Sequence, residues 1–191
     1  RCLHCWRAIE LTTGDNMKKE KIDSPKEIIE GCIKQQRKLL SGFNGYEKVN
    51  KKKLKDAQEP MQFAISLTGE PTLYPKLGEL INELRKRKKT SFLVTNGLNP
   101  DVLEKLNKNK QLPTQLYLSL NSTNEQLYNK WHNSKIKQAW KKFNETLSLF
   151  PKLKTRKVIR MTLVKGENSN MKDEMIKDYT NLIKKSKSDF I

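Results

Sequence analysis

Short apolar runs recur along this chain with helix-spaced stretches between them, and that alternation limits the fold more than any other feature. Phe63-Ala64-Ile65-Ser66-Leu67, Ser91-Phe92-Leu93-Val94, Leu116-Tyr117-Leu118-Ser119-Leu120 and Val158 to Val164 read as strands. Leu77, Leu80, Ile81 and Leu84 recur at helical spacing; Asp101 to Leu106, Thr123 to Phe150 (in two pieces) and Met171 to Lys184 are expected to be helical. Ahead of them, Ser24-Pro25-Lys26-Glu27 is a strong helix start, with a capping Ser, a Pro at the first helical position and a Glu that completes a capping box. Ile28, Ile29, Cys32, Ile33, Leu39 and Leu40 then mark one helical stripe that stops at Gly42, and Cys32 on that stripe is expected in the core. Residues 43–60 are Lys-rich without periodicity and read as an exposed connection. Asp189-Phe190-Ile191 looks like the opening of one more strand. Strands alternating with helices imply a parallel sheet, open or closed into a barrel.

The strands end alike. They run into Thr68-Gly69-Glu70-Pro71, Thr95-Asn96-Gly97, Asn121-Ser122 and Lys165-Gly166. Polar residues also enter in strand phase before the ends, as Ser66 and Thr68, Ser119 and Asn121, Arg160 and Thr162. Period-two spacing puts each pair on one face, where a purely structural parallel strand stays apolar. In βα folds the carboxyl ends of strands build the active site, so four polar ends together favour a site there.

The chain opens Arg1-Cys2-Leu3-His4-Cys5-Trp6-Arg7. Two cysteines spaced C-x-x-C in a loop suggest thiolate ligands for a metal or an iron–sulfur cluster. Because Arg1 falls inside that motif, part of it is expected to lie outside the chain. The three cysteines do not make a disulfide framework, which fits a reducing, cytoplasmic setting. No apolar run approaches the roughly 18 residues needed to span a bilayer. With 191 residues there is room for one domain or most of a larger one. The formal net charge of +18 is compatible with a nucleic-acid partner. It is equally compatible with Lys filling solvated surfaces, since nearly all of it is Lys and Asn is also abundant.

These segments together resemble the radical S-adenosylmethionine (SAM) enzymes, and within them the tRNA 4-demethylwyosine synthase family, which builds the wyosine base in phenylalanine tRNA. The superfamily signature is C-x-x-x-C-x-aromatic-C. Cys2 and Cys5 match its second and third cysteines, His4 stands at the aromatic position, and the first cysteine would lie four residues before Cys2. Trp6-Arg7, Ser66-Leu67-Thr68-Gly69-Glu70-Pro71, Phe92-Leu93-Val94-Thr95-Asn96, Thr114-Gln115-Leu116-Tyr117, Arg160-Met161-Thr162-Leu163-Val164-Lys165 and Asp189-Phe190-Ile191 are similar to the family's segments in the same order.

The resemblance implies an α/β fold, a partial (β/α)6 radical-SAM-type barrel lacking its first strand and most of its last, with residues 1–191 as one core domain truncated at both ends. It implies a 4Fe–4S cluster held by Cys2, Cys5 and the missing cysteine, with SAM on the open iron. Reductive cleavage of SAM yields a radical that joins two pyruvate carbons to N1-methylguanosine beside the anticodon, a lyase-class reaction. Cofactor contacts are expected from His4, Thr68, Gly69, Glu70, Thr95, Asn96, Ser119, Asn121, Arg160 and Thr162. Gly69 allows close backbone approach, Glu70 is read as a loop anchor before a catalytic base, and Arg160 suits a carboxylate in fork geometry. Substrate contacts are expected from Trp6, Arg7 and Lys165. The family's common Asp appears here as Asn121, which keeps hydrogen bonding but not acid–base chemistry. No catalytic residue is assigned. Implied partners are tRNA, pyruvate and an electron donor, with no membrane and a monomeric state. A second 4Fe–4S cluster belongs to upstream cysteines and the pyruvate-holding lysine to a region outside this chain; with one cluster ligand also missing, the chain alone is expected to be inactive.

Other classes stay open from sequence alone: a radical SAM enzyme acting on a small molecule or peptide, and a noncatalytic Lys-rich RNA-binding module. His132, alone in a polar stretch, is expected at the surface. Trp131 and Trp140 are expected to pack rather than stack on bases, and Lys51 to Lys55 to form a solvated face.

Overall fold

The computed structural model describes residue 2, residues 22–67 and residues 69–191. Strands β1 (Gln62–Ile65), β2 (Thr90–Thr95), β3 (Gln115–Ser119) and β4 (Arg156–Arg160) form one parallel sheet in the order β1-β2-β3-β4. Helices α1 (Pro25–Leu40) and α2 (Lys51–Ala57) precede it. Then α3 (Leu77–Lys86), α4 (Pro100–Lys108), the pair α5 (Glu125–His132) and α6 (Ala139–Leu149), and α7 (Ile176–Ser186) follow successive strands. Among the described residues the sheet is open, in keeping with a partial barrel. Phe190 continues it: this residue bridges Val158 in parallel, and the Ile159 amide donates to its carbonyl at 3.0 Å.

Register fixes which side chains share a face. Thr95, Leu118 and Ile159 pair across β2, β3 and β4, and this face is buried under Leu77, Ile81, Leu103, Phe143 and Leu147 of the helices. The opposite face carries Val94, Tyr117 and Val158, then Ser119 beside Arg160 toward the carboxyl ends. Helix burial is therefore one-sided, and Ser119 and Arg160 stand on the other side.

Several boundaries differ from the sequence reading. β1 stops at Ile65, because Leu67 takes φ 102° and leaves the extended region. β4 stops at Arg160 instead of running to Val164. Beyond it the amide of Thr162 goes to Asn121 Oδ1 (2.8 Å) and that of Val164 to Asn170 Oδ1 (2.9 Å), so side chains take the place of a ladder. α7 begins at Ile176, after a 3₁₀ turn over Asp173–Met175.

Residues 43–60 are not an aperiodic connection throughout. Asn50 Oδ1 accepts from the Lys53 amide at 3.0 Å and starts α2, a seven-residue helix with no buried side chain and hence no apolar stripe to read. Lys51 to Lys55 make a solvated face as expected, with only Leu54 half-buried. α2 leads into the start of β1, so this basic helix lies toward the amino-terminal rim of the sheet, away from the polar strand ends. Nearby, Lys89 Nζ donates to Glu59 Oε1 (2.6 Å) and the Pro60 carbonyl (2.8 Å). That contact holds the Glu59 carboxyl below its usual range.

The capping box of α1 forms: Ser24 Oγ accepts from the Glu27 amide and Glu27 Oε2 from the Ser24 amide. The buried stripe of α1 is narrow, with Ile29 against Leu80 and Leu84 of α3, flanked by Ile28 and Ile33. Cys32 therefore lies outside it and is exposed, contrary to the expectation of a core residue. Trp131 is buried and Trp140 packs on the core, as read from the helical context.

Candidate functional site at the carboxyl ends of the strands

After β1 the chain turns sharply through Leu67 (φ 102°) and Gly69 (φ 79°). A Cβ at Gly69 would meet nothing within 4 Å, so glycine serves here for its left-handed backbone, not for packing. The turn delivers Glu70, whose carboxylate ties two strand ends together. Oε1 accepts from the Thr72 amide (3.2 Å), Thr72 Oγ1 (2.7 Å) and Thr95 Oγ1 (2.7 Å), and Oε2 accepts from the Asn96 amide (2.8 Å). Charge-assisted bonds of this kind are about twice as strong as neutral ones, and they match the reading of Glu70 as a loop anchor.

The segment after β2 is held from three directions. Thr95 is buried on the helix-covered face, and its hydroxyl donates to Glu70 while accepting from the Gly97 amide (3.1 Å). Asn96 Oδ1 accepts from the Leu98 amide (3.0 Å). The Gly97 carbonyl accepts from Thr146 Oγ1 of α6 (2.7 Å). Gly97 takes φ 75°, and a Cβ there would come within 2.6 Å of Leu118 Cδ1, so glycine is required both for conformation and for space.

At the other two strand ends, Asn121 Oδ1 accepts from the Thr162 amide (2.8 Å). Asn170, fully buried, donates through Nδ2 to the carbonyls of Asn121 and Thr162 (both 2.9 Å). Asn121 and Thr162 are thus joined by side-chain-to-backbone bonds, one direct and two through Asn170. Asn170 itself was missed by the sequence reading, because it sits in the polar run Lys165 to Asn170 and resembles any other loop asparagine. Ser119 and Arg160 are neighbours in register on the open face. Lys165 is exposed in the loop after β4 and is not drawn into these bonds.

Cys2 reaches this region through α5. Its Sγ lies 3.2 Å from Nδ1 of His132, the last residue of α5. The surface reading of His132 is therefore corrected: it is half-buried and contacts a sulfur distant in sequence. Tyr128, one turn earlier in α5, has its phenol pushed well above the ordinary value, first by burial, then by the charges of Cys2 and of Glu70. The Tyr128 ring centroid is 5.8 Å from that of Phe143, and Phe143 Cδ2 is 3.3 Å from where a Cβ on Gly97 would stand, so aromatic contacts lead from the sulfur to the strand end that Glu70 anchors. His4, Cys5, Trp6, Arg7 and Thr68 lie outside the described residues.

Among the described residues no three His, Cys, Asp or Glu side chains gather as a metal site. The donor chemistry nevertheless fits an iron–sulfur cluster. Cys2 supplies a sulfur that His132 and Tyr128 link to the Glu70-anchored strand end, Cys5 follows at C-x-x-C spacing in the sequence, and thiolates are the ligands such clusters take.

Comparison with known proteins gives the family. The family model for the radical SAM superfamily matches residues 1–179. An S-adenosyl-L-methionine-dependent tRNA 4-demethylwyosine synthase of Pyrococcus abyssi is 43% identical over 190 residues, covering 100% of this chain and 54% of the relative. The Pyrococcus horikoshii synthase is also 43% identical, with the same coverage. A solved structure of TYW1 with a lysine–pyruvate adduct bound superposes with a TM-score of 0.80 at 35% identity, covering 97% of this chain and 57% of that one. The chain spans about half the length of the curated relatives it matches. With a C-x-x-C pair in its sequence, a carboxylate-tied rim of parallel strands and a family match over most of its length, the chain belongs to the radical SAM superfamily and within it resembles the tRNA 4-demethylwyosine synthases.

Proposed function

We propose that residues 1–191 are the core domain of a radical SAM lyase that modifies tRNA, condensing pyruvate carbons with N1-methylguanosine next to the anticodon of phenylalanine tRNA. The observation that carries this reading is the run of contacts from Cys2 through His132, Tyr128 and Phe143 to the Gly97 turn, beside the strand ends that Glu70 ties. The names of its relatives supply the chemistry, and the pyruvate adduct in the related structure supplies the co-substrate.

In this reading Cys2 and Cys5, with a third cysteine, hold a 4Fe–4S cluster, and the chemistry supplied there is one-electron cleavage of the SAM sulfonium. The protein's part is orientation. The Gly69 turn offers exposed backbone for the methionine amino group. Glu70 and Thr95 fix that turn against β2, so the pocket wall does not reorganise when the cofactor binds. His4, Thr68, Asn96, Ser119 and Thr162 serve the adenosyl and methionyl ends, and Asn121 holds β3 to β4. Arg160, on the open face, pairs with a carboxylate of SAM or pyruvate. Trp6, Arg7 and Lys165 face the RNA. A second 4Fe–4S cluster, an electron donor, a monomeric state and a cytoplasmic location complete the proposal. No helix among the described residues is long and apolar enough to cross a membrane.

The test uses the full-length protein, reconstituted anaerobically with iron and sulfide. Incubated with SAM, pyruvate, a reductant and phenylalanine tRNA carrying N1-methylguanosine, it is expected to yield the tricyclic base by nucleoside mass spectrometry. Cys5→Ala is expected to lose both the brown absorbance and the product. Full cluster content with no product on this tRNA would contradict the substrate assignment.

A further inference from the structure

Cys2 and His132 are 130 positions apart in sequence, yet their side chains meet at 3.2 Å. The position of the imidazole is set by packing. His132 ends α5, and Asn133 turns the chain out of the helix at φ 40°. The ring lies on Tyr128 with centroids 4.3 Å apart and planes tilted by 35°. Tyr128 is itself fixed against Trp140 (5.5 Å) and Phe143 (5.8 Å) of α6. A chain of aromatic contacts thus aims Nδ1 at the sulfur.

We propose that His132 is a positioning residue for the iron–sulfur cluster, donating an Nδ1–H···S hydrogen bond to the Cys2 thiolate and raising the cluster's reduction potential. This rests on the reading above that Cys2 is a cluster ligand. A ligating thiolate carries no proton, so the proton in this contact resides on Nδ1. Reduction adds negative charge that is shared by the sulfurs, and a donor aimed at one of them stabilises the reduced form more than the oxidised one. The same bond fixes the orientation of the Cys2 side chain at the edge of the rim that Glu70 anchors.

The experiment is a redox titration of the reconstituted full-length protein, followed by visible absorbance and electron paramagnetic resonance. His132→Phe keeps a ring on Tyr128 and removes the donor. The expected result is unchanged iron content with a more negative potential, and a return toward the wild-type potential in His132→Gln, which restores an N–H. Equal potentials in wild type and His132→Phe at equal iron content overturn the inference. If His132→Phe fails to hold iron, His132→Gln decides. Full loading at the wild-type potential supports the hydrogen bond; loss of iron there too shows that the imidazole acts only by packing and overturns it. A wild-type protein that takes up no cluster is a different failure, of the reading on which this rests.

Discussion

Replacing Glu70 by Gln separates the anchor from the shape of its side chain. The change is isosteric, but one carboxylate oxygen becomes an amide NH₂. Oε1 serves three donors, on Thr72 and Thr95, whereas Oε2 serves one, the Asn96 amide. The least costly arrangement keeps oxygen at Oε1 and turns the NH₂ toward the Asn96 N–H. That leaves one backbone donor unpaired and facing another donor. An unsatisfied donor in a part-buried setting costs about 1–3 kcal/mol, which converts to roughly 5- to 150-fold in a local opening equilibrium. Amide hydrogen exchange at Asn96 is therefore expected to accelerate by that factor in Glu70→Gln. Strand amides in β3 keep their protection, and the urea midpoint falls slightly. Glu70→Ala strands the Thr72 amide as well and is expected to cost about 2–6 kcal/mol by the same reasoning. Thr95 Oγ1 keeps its bond from the Gly97 amide, and Thr72 Oγ1 its bond from Asn99 Nδ2. Exchange at Asn96 that is the same in wild type and Glu70→Gln would refute the anchor.

Three further outcomes follow from the same geometry. Gly97→Ala combines a left-handed backbone with a Cβ 2.6 Å from Leu118 Cδ1, so a loss of about 2–5 kcal/mol is expected from chemical denaturation. Asn170→Ala removes the side chain that joins the Asn121 and Thr162 carbonyls to the Val164 amide. It is expected to destabilise by about 2–4 kcal/mol and to loosen the loop after β4, read by its protease sensitivity. Burial pushes the Tyr179 phenol up to about 12. The neutral form is favoured in the fold, so this contribution is present below the ordinary tyrosine value near 10 and is lost as pH rises from there toward the folded value. A steeper alkaline fall in the unfolding midpoint of wild type than of Tyr179→Phe is the expected result.

How much of this was legible in the sequence depended on what each residue does with its neighbours. The βα order, the capping box at Ser24 and the two-piece helical stretch before Phe150 follow from spacing alone, and the structure reproduces them. Strand ends were harder. Polar residues near a strand's carboxyl end read as continuing strand, yet Thr162 and Val164 give their amides to Asn121 and Asn170 instead. Asn170 left no sequence signal because its importance lies in being buried between two loops. Cys32 misled because a repeating apolar pattern shows which positions can share a face but not how wide a partner covers it. α2 was invisible for the converse reason, since a fully solvated helix has no stripe. His132 looked solitary because its partner is at the far end of the chain.

Whether the thiolate loop and the strand ends enclose one pocket is decided by the electron paramagnetic resonance spectrum of the reduced, reconstituted full-length protein with and without SAM. A spectrum that shifts on saturation with SAM, and that needs more SAM to do so in Asn96→Ala at unchanged iron content, is the expected result. A spectrum that stays the same while dialysis shows SAM bound would place the cofactor away from the iron and contradict the site.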